Sequence, residues 1–357
     1  MKALVLAGGA GTRLRPFTHT SAKQLMPIAN RPVLFYGLDA IRAAGITEAG
    51  IVVGDTAAEI RAAVGDGSRF GLAVTYLPQE APLGLAHAVR VARGYLGGDD
   101  FLMYLGDNYF GDGIGAVADR FRRERPDAEL LLAKVPDPRA YGVAELDPDG
   151  AVRRLAEKPR RPRSDLAVTG VYAFTPDVHE QVDRLRPSRR GELEITDAIQ
   201  GLIDSGRRVT ATQTGGDWKD IGSAAGLLEA NRAVLDRLAA DPARDHRIDG
   251  AAGVSGPVVA EPGAWLEGSS VVGPAVIGAG AEIIGSVIGP HTSIGAGCRV
   301  EHSEIEDSVL LPGATVRGAG PVRGSLLGHA SEVAATAPAR RCQRLVLGDH
   351  SKVLIDP

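Results

Sequence analysis

Two cysteines in 357 residues, Cys298 and Cys342, are too few for a disulfide framework, and no zinc-type spacing of cysteine and histidine occurs. That excludes a small secreted scaffold and fits a reducing, cytoplasmic setting. No apolar stretch approaches the roughly 18 residues of a membrane span, and the N-terminal apolar run is shorter than a secretory core. The chain also lacks a strong charge of either sign: its formal net charge is -4. Nucleic acid and anionic membrane are thereby excluded as partners, and any phosphate binding has to come from a local cluster. Two common nucleotide fingerprints are absent from residues 8–16, which satisfy neither G-x-G-x-x-G nor G-x-x-x-x-G-K-[ST].

What stands there instead organises the chain. Met1 to Ala7 is an apolar run fit for a buried parallel strand, and it breaks into Gly8-Gly9-Ala10-Gly11-Thr12-Arg13-Leu14-Arg15-Pro16, with Lys23 following. Glycines let the backbone approach an anion closely, while Arg and Lys supply charge that a turn lacks. The stretch predicts a site for a polyphosphorylated ligand. A composition of 44% hydrophobic and 24% charged residues is that of a globular protein. The length exceeds what a single core usually supports, so two domains are expected.

Apolar strands at 49–53, 73–77 and 101–105 alternate with helices at 32–45 and 57–64. This pattern predicts an α/β, Rossmann-like domain whose mixed, mainly parallel sheet binds ligands beyond the carboxyl ends of its strands. Gln79 to Ala88 follows the strand at 73–77 directly. That places Gln79 and the Leu83-Gly84 backbone where a planar base could be hydrogen-bonded. His87, inside the next helix, reads as a packed or surface histidine. Asp107 follows Phe101 to Leu105 at the same rim, and Asp220 stands between a strand and a helix start. Two such carboxylates make a metal clamp plausible. From Leu130 the pattern turns irregular, with a hairpin around Asp147 to Gly150 closed by Glu157-Lys158-Pro159. That half suits a sugar pocket. Pro187 to Asp197 is expected to open a helix reaching Ser205, and 223–240 another.

A polar linker follows at 241–250. Beyond it, apolar residues recur at Val271, Ile277, Ile283, Ile288, Ile294, Val300, Ile305, Leu310 and Val316, with small residues between. Steps of six or five match neither a helix nor a simple strand, and they predict a hexapeptide parallel β-helix. The segment from Arg340 to Ile355 breaks the repeat and is expected to form a cap or hairpin.

The strings GGAGTRLRPFT, QEAPLGLAHAV, LGDN, YGV, EKP, AVTG, RGELEITD and WKDIG, with Lys23, stand in one order along the chain. Together they resemble the signature of the sugar-phosphate nucleotidyltransferases. With the repeat behind them, they resemble the long-form thymidylyltransferases acting on glucose 1-phosphate, which carry a left-handed β-helix. The resemblance implies a nucleotidyltransferase domain at 1–240, the linker at 241–250, and a left-handed β-helix with its cap at 251–357. It also implies transfer of a thymidylyl group from dTTP to α-D-glucose 1-phosphate for deoxysugar synthesis, with Mg²⁺ as cofactor and a cytoplasmic homo-oligomer as the working form. On this resemblance Gly8, Gly9 and Gly11 line the triphosphate, Arg13 holds its outer phosphates, and Lys23 acts at the α-phosphate. Gln79 and Gly84 meet the base, and Asp107 and Asp220 bind the metal. Tyr141, Gly142, Glu157, Lys158, Val168 and Arg190 surround the sugar and its phosphate, with Lys158 on that phosphate. Ile221 departs from the Thr common in short-form relatives. The alternatives are UTP as donor with glucose or N-acetylglucosamine 1-phosphate, and an acyltransferase in the β-helix with His291, His302 or His329 as base.

Overall fold

The computed structural model describes residues 1–9, 11–19, 21–239, 253–335 and 342–355; the expected linker at 241–250 lies outside them. Two compact units emerge, one from Met1–Ala10, Ala22–Leu25 and Val33–Trp218, the other from Gly11–Ser21, Met26–Pro32 and Lys219–Pro357.

The first unit is a nine-stranded mixed sheet. Its strands are β1 (Lys2–Ala7), β2 (Glu48–Val53), β3 (Ala73–Pro78), β4 (Phe101–Leu105), β5 (Ala128–Lys134), β6 (Gly142–Leu146), β7 (Val152–Glu157), β8 (Leu166–Phe174) and β9 (Val209–Gln213). The path runs β7-β6-β8-β4-β1-β2-β3, with β5 against β8 and β9 against β5. β1 pairs in parallel with β2 and β4, and β2 with β3. A strand with parallel neighbours on both sides and helices over its faces must be apolar throughout, and Ala3 to Ala7 are all buried. The helix α1 (Val33–Ala43) begins after Pro32, buries Leu34, Leu38 and Ile41, and stops before Gly45, whose φ is 76°. Because β1 to β4 point the same way, Gly8, Gly54, Gln79 and Asp107 all fall at one rim. The long strand β8 runs antiparallel to β4, β5 and β6 and joins this parallel half to the hairpin of β6 and β7.

In the second unit three parallel sheets wind into the left-handed β-helix class that a six-residue step predicts. Val271 pairs with Ile288, and Ile283 with Val300, so one coil takes 17 residues. The inward aliphatics Val271, Ile277, Ile283, Ile288, Ile294, Val300 and Ile305 are each 0% exposed. Serines stack at the corners between them: Ser286 N donates to Ser269 Oγ at 3.0 Å, and Ser303 N to Ser286 Oγ at 3.1 Å. Val346–Leu347 and Lys352–Ile355 correct the expected cap or hairpin, since they pair in parallel with Leu326–Leu327 and Glu332–Ala335 and so add one more coil.

The helix α2 (Ala224–Ala239) belongs to this unit. Its Asn231, wholly buried, accepts from Ala29 N at 2.8 Å and Ser293 Oγ at 2.7 Å and donates to His291 O at 3.0 Å. Asn231→Ala would strand those groups away from water, so it is expected to lower stability by about 3 kcal/mol. Denaturant unfolding of the full chain checks this, and an unchanged midpoint rejects it.

Candidate active site

Glycine at the end of β1 is required by how closely its neighbours run. A side-chain carbon on Gly8 would lie 3.3 Å from Gly54 N and 3.4 Å from Gln79 Oε1. Gly9 is followed in space by Gln24, whose Nε2 would lie 3.7 Å from such a carbon and whose Oε1 is buried with no hydrogen-bond partner among the described residues. An unpaired acceptor there is costly unless a ligand meets it. Lys23 is buried, and its Nζ donates to Asp107 Oδ2. Burying an ammonium demands such a counterion.

The other oxygen of Asp107 starts a chain of contacts. Asn108 Nδ2 donates to Asp107 Oδ1 at 2.9 Å, and Trp218 Nε1 donates to Asn108 Oδ1 at 2.6 Å. The Trp218 indole meets the Tyr141 ring edge-on with centroids 5.2 Å apart. The rim at Asp107 is thereby tied to the hairpin half. Nothing in the sequence around Asn108 or Trp218 marks this link beyond their adjacency to LGD and KDIG.

Gln79 is anchored by its own N–H to Val53 O at 2.8 Å. Its Nε2 donates to His87 Nδ1 at 2.9 Å and lies 3.5 Å from Gly84 O. Gly84 has φ 103°, and a side-chain carbon there would lie 2.5 Å from Leu193 O, so no other residue fits. Leu193 N donates to Leu83 O at 2.7 Å and Ala86 N to Leu193 O at 3.0 Å. The loop at 83–86 and the RGELE segment are thus hydrogen-bonded to one another.

In the hairpin half, a carbon on Gly142 would lie 2.8 Å from Thr196 Cγ2, 3.5 Å from Glu157 Oε2 and 3.5 Å from Val168 Cγ2. Gly142, Glu157 and Val168 therefore meet, and Thr196 joins them by donating to Glu157 Oε2 at 3.1 Å. Glu157 Oε1 accepts from Arg190 Nη1 at 3.1 Å and lies 3.5 Å from Lys158 Nζ. Arg190 also reaches Glu192 at 3.0 Å and Glu194 at 3.5 Å. Burial pushes the Glu194 carboxyl above its ordinary range, opposed by a hydrogen bond from Ser188. The helix expected to open at Pro187 begins instead at Ile195. Before it, Ser188 N donates to Glu192 O at 2.8 Å and Gly191 N to Ser188 O at 2.9 Å, a turn that presents Arg190.

The second unit holds Gly11, Arg13 and Asp220. Gly11, at φ 60°, enters the turn Thr12–Leu14 and accepts from Thr18 Oγ1 at 2.8 Å. Arg13 and Asp220 flank Gly222: a carbon there would lie 3.0 Å from Arg13 Nη2 and 3.1 Å from Asp220 Oδ2. Ile221, the departure noted above, is wholly buried. His291, His302 and His329 stand at separate corners of the β-helix, and His291 Nε2 lies 2.8 Å from Asp236 Oδ1.

The donor chemistry fits a hard divalent cation. Among the described residues no group of three or more His, Cys, Asp or Glu side chains could hold an ion by itself. Carboxylate oxygens of the kind Asp107 and Asp220 carry suit Mg²⁺, which takes one or two carboxylates and completes its shell with phosphates and water. No described helix is long and apolar enough to cross a membrane.

A first strand of a wound sheet that ends in glycine, with a buried Lys23–Asp107 pair in the same unit, is the kind of apparatus found in enzymes that move nucleotidyl groups. Residues 2–237 match the nucleotidyl transferase family model, and the chain belongs to that family. Over 358 residues it is 56% identical to the glucose-1-phosphate thymidylyltransferase of Streptomyces griseus, covering 99% of each chain. A Bacillus anthracis crystal structure with sucrose bound, assigned as a glucose-1-phosphate thymidylyltransferase, aligns with a TM-score of 0.61 at 34% identity, over 65% of this chain and 94% of that one. UDP-glucose pyrophosphorylase complexed with UDP-glucose aligns at 0.59 and 26% identity, over 66% of this chain and 98% of that one. The fold alone therefore barely separates thymidylyl from uridylyl enzymes, whereas sequence identity separates them clearly.

Proposed function

We propose that this enzyme transfers a thymidylyl group from dTTP to α-D-glucose 1-phosphate, giving dTDP-glucose and pyrophosphate. The observation that carries the reading is the 56% identity with a glucose-1-phosphate thymidylyltransferase across 99% of both chains.

The chemistry asks for cations rather than a base. A phosphate oxygen of the sugar attacks the α-phosphorus of dTTP, a P–O bond forms, and the bond to the β-phosphate oxygen breaks as pyrophosphate leaves. At neutral pH that nucleophile is already ionised, so no proton has to be removed first. Two anions must instead be brought together, and their repulsion offset, before orientation can help. The backbone N–H groups of Gly8, Gly9 and Gly11 line the triphosphate. Arg13 holds its outer phosphates and steadies pyrophosphate as it leaves. Lys23 neutralises charge at the α-phosphate, while Lys158 and Arg190 hold the sugar phosphate. Tyr141, Gly142, Glu157 and Val168 enclose the hexose, with Glu157 accepting from its hydroxyls. Gln79 and the Gly84 backbone receive the base. Members of the family generally use a divalent metal; Mg²⁺ is the proposed ion and Asp107 and Asp220 its proposed ligands. When bound it supplies charge neutralisation and alignment of phosphate oxygens.

The test is a pyrophosphate-release assay of the full chain with dTTP and UTP against glucose 1-phosphate and N-acetylglucosamine 1-phosphate. The expected result is a preference for dTTP with glucose 1-phosphate. A preference for UTP with either sugar overturns the assignment of the base, and no release with any pair overturns the reading altogether.

A further inference from the structure

We propose that His87 is a positioning residue: it fixes which end of the Gln79 amide faces the nucleobase and so sets the choice of base. The inference rests on the reading of Gln79 as the base-contacting residue and adds to it a device that neither the family match nor the chemistry requires.

The backbone of Gln79 is held to β2, so only its side chain has freedom, and a carboxamide has two nearly isosteric ends. Its nitrogen donates to His87 Nδ1 at 2.9 Å and lies 3.5 Å from Gly84 O. Both amide protons are thereby directed away from the rim. The remaining atom, Oε1, faces Gly8, where a side-chain carbon would lie 3.4 Å from it. A carboxamide nitrogen cannot accept, so the contact needs a lone pair on His87 Nδ1 and hence the neutral ring with its proton on Nε2. Burial, and after it Arg90 one turn along the same helix, hold the His87 ring below its ordinary range. The neutral form is therefore favoured.

The consequence is a fixed acceptor where the base arrives. Thymine and uracil present an N–H at N3 and can donate to it, whereas cytosine presents a lone pair at N3 and is repelled. Were the amide turned half round, the preference would reverse. His87 selects between these two states without touching the nucleotide.

The experiment compares dTTP with dCTP, each with glucose 1-phosphate, in the wild-type full chain, His87→Leu and His87→Asn. Leucine keeps bulk and removes the lone pair; asparagine restores an acceptor close to the position of Nδ1. His87→Leu is expected to raise KM for dTTP about tenfold with little change in kcat, and to shrink the dTTP-over-dCTP ratio of kcat/KM by about the same factor, the worth of one hydrogen bond. His87→Asn is expected to recover most of both. Nitrogen shifts of the His87 ring, read by NMR without nucleotide, are expected to report an unprotonated Nδ1. An unchanged dTTP-over-dCTP ratio in His87→Leu, no recovery in His87→Asn, or a protonated Nδ1 overturns the role of His87. A wild-type chain inactive on dTTP overturns the function proposed above instead, which keeps the two failures apart.

Discussion

Lys158→Ala is expected to lower turnover by about 100-fold or more, the usual consequence of removing one preorganised charge from a transfer site. The backbone says why the lysine stands there for its side chain. Lys158 has φ 39°, in the left-handed region, and its N–H donates to Tyr141 O at 3.0 Å. Holding a non-glycine residue in that conformation costs about 1–2 kcal/mol, whereas glycine enters it freely and forgoes about 0.5–1 kcal/mol in chain entropy. The contact with Glu157 at 3.5 Å joins partly exposed groups and contributes less than about 1 kcal/mol. Stability alone would therefore favour glycine or leave the choice neutral. Lys158→Gly is accordingly expected to match or slightly exceed the wild-type unfolding midpoint while being as inactive as Lys158→Ala. Turnover with dTTP and glucose 1-phosphate, set beside thermal unfolding of both variants, checks the pair of effects. Near wild-type turnover in either variant removes Lys158 from the site.

Much of this architecture was legible in the residues because buried parallel strands leave uninterrupted apolar runs, as MKALVLA, AGIVV and FLMYL do here. Their ends were legible too, since a strand that must open onto a ligand stops in glycine, as at Gly8 and Gly106. The β-helix showed through its step because small residues recur between the inward aliphatics, as at the stacked Ser269, Ser286 and Ser303. The same rule failed at the last coil. Leu326 pairs with Val346 and Val333 with Val353, a separation of 20 residues where earlier coils take 16 or 17. The longer coil throws the apolar pattern out of step, so the segment reads as something other than a repeat. The turn at 188–192 was missed for a different reason. Its conformation is set by Glu157, Glu192 and Glu194 around Arg190, and Glu157 is remote in sequence. Asn108, Trp218, Gln24 and Thr196 illustrate the general limit: each is a common residue in a common setting, and only the pairing across the sheet gives it a role.

Asp107→Asn is expected to abolish measurable turnover, and the structure separates two reasons that a single variant would confound. One is loss of the proposed metal ligand. The other is Lys23, which is 8% exposed and whose ammonium donates to the Asp107 carboxylate. Neutralising one member of a buried pair leaves the other charge unpaired, at a cost of about 3–5 kcal/mol. Asp107 keeps 19% of its side chain exposed, so water softens that penalty and a value near 3 kcal/mol is expected. Removing both charges avoids it altogether, because a neutral pair of similar volume needs no counterion. The double variant Asp107→Asn with Lys23→Met is therefore expected to regain most of the wild-type unfolding midpoint and none of the activity. Midpoint and activity then part company, as they must if the carboxylate and the ammonium were placed for phosphates and stabilise one another only in their absence. Recovery of turnover together with the midpoint would mean that Asp107 matters to the fold alone, and the phosphate-binding rim would have to be sought elsewhere on the sheet.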